Sequence, residues 1–131
     1  MAHDLSHPGS LRHLVTFRYK PAIDPATLAD AHAAFCALPS QIPGILAFEH
    51  GADVSPEGLG QGYGHVYLMT FVDAAARDAY LVHPAHQAFV AAIGPLLDAA
   101  LVLDYAPQPV SCITACNTAC NTACNTACTA A

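Results

Sequence analysis

Positive charge is scarce in this chain. Four basic residues, Arg12, Arg18, Lys20 and Arg77, stand against ten acidic ones, a formal net charge of -6. With no basic stripe to follow a phosphate backbone, nucleic acid is not an expected partner. Long apolar runs are missing too. Nothing approaches the roughly 20 consecutive apolar residues that span a bilayer. Residues 1–10 carry His3, Asp4, His7 and Pro8 where a secretory signal would need an apolar stretch. No membrane partner is expected, and the chain reads as cytoplasmic. Cysteine is almost absent before the tail: of six, only Cys36 precedes Cys112, so no disulfide framework is expected to hold the fold.

What is present suits a single domain, given 131 residues of which 54% are hydrophobic. Much of that fraction is Ala, so one core requires the large side chains to be concentrated, and they are. Leu11 to Tyr19 is rich in β-branched and aromatic residues and reads as a strand ending at Lys20-Pro21. Asp24-Pro25 places a capping residue before a Pro at the first helical position, and opens a helix through Leu38 with Leu28, Ala31, Phe35 and Leu38 inward. Pro39 and Pro43-Gly44 should end it and lead to a strand over Ile45 to His50.

After a Gly- and Pro-rich loop, Tyr63 to Phe71 reads as a third strand, and Asp73 caps a short helix reaching Val82. Pro84 restarts a helix with Phe89, Val90, Ile93, Leu96 and Leu97 on its apolar side and a kink at Gly94-Pro95; Ala100 to Tyr105 is the last strand. The order β-α-β-β-α-β is the ferredoxin-like arrangement of the α+β class, a four-stranded antiparallel sheet with helices on one face. The divisions are a flexible N-terminus at 1–10, the α+β domain at 11–106 and a tail at 107–131.

Both faces of that sheet carry apolar residues. With His13, Val15 and Phe17 beside His65, Tyr67, Met69 and Phe71 facing the helices, the other face keeps Leu14, Leu46, Phe48, Val66, Leu68 and Val102. A sheet with one wet face should alternate apolar and polar residues. No helix is left to cover the second face, and a second copy packed sheet to sheet would do so, predicting a homodimer.

The string Gly62-Tyr63-Gly64-His65, then Phe71, then Tyr80-Leu81-Val82-His83-Pro84-Ala85-His86 with Phe89, and finally Asp104-Tyr105, resembles the stress-responsive A/B-barrel (Dabb) family. So do Arg12-His13-Leu14-Val15 and the Ile42-Pro43-Gly44 turn, and the likeness runs from Leu11 to Ala106. It implies a dimeric α+β barrel. The family includes plant polyketide cyclases that perform an intramolecular aldol condensation without a cofactor. Their catalytic His and Tyr fall at His86 and Tyr80, and two further pocket histidines at His13 and His65. The resemblance thus implies a small carbonyl or polyketide-like ligand, with His86 and Tyr80 catalytic, His13 and His65 binding substrate, and no cofactor.

His86 would sit in the first turn of its helix, where unpaired N–H groups disfavour imidazolium and keep a neutral base. Tyr80 could bond the imidazole or a developing enolate oxygen. Each residue also has a purely architectural role open to it. His83 before Pro84 can cap the helix, His86 can bond a backbone carbonyl, Tyr80 can be core, and His13 and His65 can be a cross-strand pair. No metal is assigned: His83 and His86 have no carboxylate partner and no recognised ligand spacing. The run Gly58-Leu59-Gly60-Gln61-Gly62 precedes a strand and not a helix, so it reads as a hairpin connection, a lid over the pocket mouth, and not a phosphate loop.

From Thr114 the chain repeats Thr-Ala-Cys-Asn. That low complexity predicts disorder. The Cys-x-x-x-Cys spacing is looser than usual zinc pairs, leaving soft-metal capture and oxidative cross-linking as alternatives. Two classes of function fit the whole: a cofactor-free aldol-cyclase-like enzyme, or a non-catalytic stress-associated homodimeric module.

Overall fold

The computed structural model describes residues 7–108. The expectations for residues 1–6 and for the cysteine repeat lie outside the described residues. Ser10 is buried, its amide donating to the His7 carbonyl at 3.1 Å and its hydroxyl accepting from Arg12 Nη1. The chain then forms β1 (Leu11–Tyr19), α1 (Pro25–Gln41), β2 (Ile45–Ala52), β3 (His65–Phe71), α2 (Ala74–Val82), α3 (Pro84–Ile93) and β4 (Leu97–Tyr105). The four strands make one antiparallel sheet in the order β2-β3-β1-β4, the ferredoxin-like layout. Among the described residues no helix is long and apolar enough to cross a membrane.

Local chemistry explains most boundaries. Pro25 opens α1 because its preset φ suits a helix and the N–H it lacks would be unpaired there anyway. Asp24 stands at the N-cap position without making a side-chain cap bond. α1 runs past Pro39, which was expected to end it. That Pro costs the helix one bond, the one an N–H there would make to the Phe35 carbonyl, yet the helix continues for two residues and the Ile42 amide closes the end on the Leu38 carbonyl at 3.0 Å. The following turn requires glycine: Gly44 has φ +92°, and a Cβ there would lie 2.8 Å from Ala76 Cβ. Asp73 caps α2 by accepting from the Ala76 amide at 2.8 Å. A 3₁₀ turn at Gly94–Leu96 ends α3, so Leu97 belongs to β4 and not to the apolar stripe of α3. Val90 is exposed as well, leaving Phe89 and Ile93 to anchor that helix.

The helices pack on one face of the sheet over an aromatic centre. Phe35 of α1 meets Tyr67 at 4.4 Å, Phe89 at 4.9 Å and Phe17 at 5.8 Å between ring centroids. Met69 and Phe71 are fully buried beside them. Each such side chain stabilises the fold by about 1.5–3 kcal/mol through removal from water.

Two strand residues lie on the opposite face from the one expected. A bulge between Ile45 and Ala47 shifts the register, so Phe48 lies opposite Met69 and His50 opposite Tyr67, both on the helix side. Val102 pairs with Val15, also a helix-side residue. Directly opposed residues share a face, so the outer face is instead built from Leu14, Leu103, Leu101, Val66 and Leu68. Of these, Leu103 is 54% and Val66 38% exposed in the single chain.

Candidate functional site

Pro84 and His83 fix the start of α3. Pro84 takes the first helical position and His83 Nδ1 accepts from the Ala85 amide at 3.1 Å. His86 consequently falls in the first turn, as expected. Its Nδ1–H donates to the Leu81 carbonyl at the end of α2 (3.1 Å), which leaves the Nε2 lone pair free. Burial holds His86 below the usual histidine range; the bond to Leu81 acts against that shift and the nearby His13 adds to it. The ring is therefore neutral at pH 7.

Tyr80, on α2, packs its ring 4.4 Å from that of His86. It is completely buried, and among the described residues its hydroxyl is the buried side-chain polar atom with no hydrogen-bond partner. Burial raises its pKa, so it stays protonated and keeps an O–H to donate to an anion or carbonyl. His13, on β1, meets the Tyr80 and Phe71 rings edge-on, each at 5.7 Å. Its Nδ1–H donates to Asp104 Oδ1 on β4 at 2.6 Å, and Arg77 Nη1 holds the other carboxylate oxygen. Burial alone would raise Asp104, but the bonds from His13 and Arg77 outweigh it and the carboxylate lies below its usual range. Asp104 thereby fixes the ring with Nδ1 engaged and Nε2 turned away from the carboxylate.

His65 is not brought to this place. His13 lies opposite Met69, and His65 is four residues further along β3, roughly 13 Å at strand spacing. Nor are the two a cross-strand pair. His65 instead joins His50 of β2 and His32 of α1. His50 Nδ1 and His65 Nε2 are 3.0 Å apart, and the His32 ring centre is 4.7 Å from that of His50 and 5.2 Å from that of His65. His32 Nδ1 is bonded to the Tyr67 hydroxyl at 2.8 Å, and Cys36 Sγ lies 3.6 Å from His32 Nε2. Burial, with His32 and His50 adding to it, lowers the His65 pKa, and burial raises Cys36.

The Gly-rich loop also sits at the His65 end. Asp53 and Gly64 close it backbone to backbone, Tyr63 lies under the Arg18 guanidinium, and Arg18 Nη1 donates to the Gln61 carbonyl. It is far from His86 and is no lid for it. Sequence reasoning missed Arg77 and the role of Asp104, which only the β1–β4 pairing joins to His13. It missed His50 because the bulge reverses its face, and His32 because its partners are on other elements.

Comparison with known proteins agrees with this architecture. The family model described as Stress responsive A/B Barrel Domain matches residues 11–107. A stress-response A/B barrel domain-containing protein of Arabidopsis thaliana is 35% identical over 103 residues, covering 79% of this chain and 94% of the relative. Olivetolic acid cyclase of Cannabis sativa is 26% identical over 99 residues, or 76% and 98% of the two chains. Among solved structures, hydroxynitrile lyase from Passiflora edulis superposes with a TM-score of 0.73 at 25% identity, covering 79% and 97%. A protein from Jannaschia sp. described as dimeric and ferredoxin-like gives 0.65 at 33%, covering 74% and 98%.

Proposed function

Because this chain belongs to the stress-responsive A/B-barrel family, we propose that it forms a homodimer through the open sheet face and performs cofactor-free acid/base chemistry on a small carbonyl or polyketide-like compound. One observation carries this reading: the ring of His86, with Nδ1 bonded and Nε2 free, packs 4.4 Å from that of Tyr80, whose protonated hydroxyl has no partner among the described residues. His86 Nε2 takes a proton from the carbon next to a carbonyl. Tyr80 donates a hydrogen bond to the oxygen as it gains charge, and the enolate carbon attacks a second carbonyl of the same chain. The imidazolium then returns the proton to the new alkoxide, so the cycle closes without any other reagent. His13, oriented by Asp104, supplies a second polar contact for the ligand. The relatives named olivetolic acid cyclase and hydroxynitrile lyase support a carbonyl-handling reaction in this setting.

A second reading has its own support. Tyr80 is wholly buried, and His83 and His86 each serve the α2–α3 junction, which suits a non-catalytic homodimeric binding or assembly module. A screen of β-polyketones and hydroxynitriles decides between them, read by product formation and by the melting temperature of wild type, His86→Ala and Tyr80→Phe. Turnover by wild type that disappears in both variants is the expected result. If no compound is converted by wild type or shifts its melting temperature, the enzyme reading fails and the module stands.

A further inference from the structure

The second histidine cluster has a geometry that hydrogen bonding alone does not require. We propose that His32, His50 and His65 bind one zinc-class ion through three imidazole nitrogens, with a fourth position left open. One ligand atom from each residue lies within 4.8 Å of both others, and the His50 Nδ1 to His65 Nε2 separation is 3.0 Å. Three nitrogens at zinc bond lengths in a tetrahedral site sit roughly 3.3 Å from one another. The closest pair is thus already at ligand spacing, and the widest has to close by about 1.5 Å, a matter of side-chain rotation. His50 is exposed on an edge strand, and His32 and His65 are half-buried, so that rotation displaces no core residue.

The donor set is informative. Three imidazoles with no carboxylate among them select a borderline transition metal over Mg2+ or Ca2+. The ligands come from three elements, α1, β2 and β3, which the fold holds rigidly. Tyr67 bonds His32 Nδ1 at 2.8 Å and fixes the ring, the kind of outer contact that orients metal-binding histidines, so that Nε2 serves as the ligand once its weak 3.6 Å contact with the Cys36 thiol is released. His65 and Tyr67 also line a cavity of about 230 Å3 with Phe17, Tyr19, Gly62 and Gly64, which gives the open position room for water or a small oxygen donor. Three His ligands plus an open site is the arrangement of catalytic rather than structural zinc. This site is separate from His86 and does not depend on what His86 does.

The test uses the full chain, free of any added histidine tag, with Cys112→Ser and the same change at Cys116, Cys120, Cys124 and Cys128 so that the tail cannot supply thiolates. It is titrated with Co2+, then competed with Zn2+. One equivalent of Co2+ should bind with visible bands of low-symmetry coordination and no thiolate charge-transfer band, and Zn2+ should displace it. His50→Ala and His65→Ala should each abolish uptake while their circular dichroism remains that of the parent. Tyr67→Phe, a positioning change, should weaken it by about 10–100-fold. Absence of saturable uptake would overturn the proposal, as would uptake that survives in the His50→Ala/His65→Ala double variant. A thiolate band would move the ion to Cys36 and overturn the three-imidazole assignment.

Discussion

Tyr80→Phe separates a hydroxyl kept for chemistry from one that merely fills the core. The ring is fully buried between His13, Phe71 and His86, and its oxygen has no partner among the described residues. An unsatisfied buried hydroxyl costs about 1–3 kcal/mol, and its removal leaves the ring packing intact. The variant should therefore be more stable than wild type by about 1 kcal/mol. For a domain of this size that raises the melting temperature by roughly 4–8 °C. Under the acid/base reading the same variant loses turnover, because the hydrogen bond that Tyr80 donates to the developing oxyanion is gone. Thermal unfolding by circular dichroism, run beside the carbonyl turnover assay, gives both quantities on one preparation. A fall in melting temperature would refute the reasoning, since it would mean that the hydroxyl has a stabilising partner in the folded protein.

Acid should destabilise the fold through its histidines. His86 and His65 are both held below 6.5 by burial, so above that pH they are neutral in folded and unfolded chain alike. As pH falls through 6.5 the unfolded chain takes up protons first, and the melting temperature should decline toward about pH 5. His86→Asn should flatten part of that slope, and a curve unchanged by it would contradict a buried neutral His86. Asp104, whose carboxylate is held below 3.8, loses its contribution only at still lower pH, outside this window. Asp104→Ala strips His13 and Arg77 of a shared acceptor and should cost about 1–3 kcal/mol in urea denaturation, with Arg77→Ala costing less because Asp104 then keeps its bond from His13. Leu103→Lys, on the open sheet face opposite Leu14, should yield monomers in sedimentation velocity while preserving the circular dichroism spectrum. Dimers that persist would place the interface elsewhere.

Most of the fold was legible because local rules and burial agree along this chain. β1 and its inward residues followed from β-branched and aromatic alternation, α2 from Asp73, and α3 from Pro84. The misreadings have particular causes. Pro39 does not end α1, because the loss of one bond to the Phe35 carbonyl is outweighed by the packing of Phe35, Leu38 and Ile42 in the core. Phe48 lies on the helix side and not on the outer face because strand alternation assumes an unbroken pleat, and the bulge after Ile45 inserts a residue that no local pattern marks. Val102 was misplaced because a face is set by pairing with β1, and not by β4 alone.

By itself the sequence determined which residues could serve chemistry at the α2–α3 junction. Tyr80, His83, Pro84 and His86 are neighbours in the chain, and a helix start governs them all. It also determined that one sheet face would be apolar and uncovered. Tertiary structure alone decided the groupings. His13 meets Asp104 and Arg77 only through strand pairing and helix packing, and His65 parts from His13 because they stand at different heights on adjacent strands. His32, His50 and His65, spread over three elements, converge only when a bulge turns His50 inward. Contacts between distant residues depend on register and packing angle, which are properties of the assembled sheet and are not carried by any single segment.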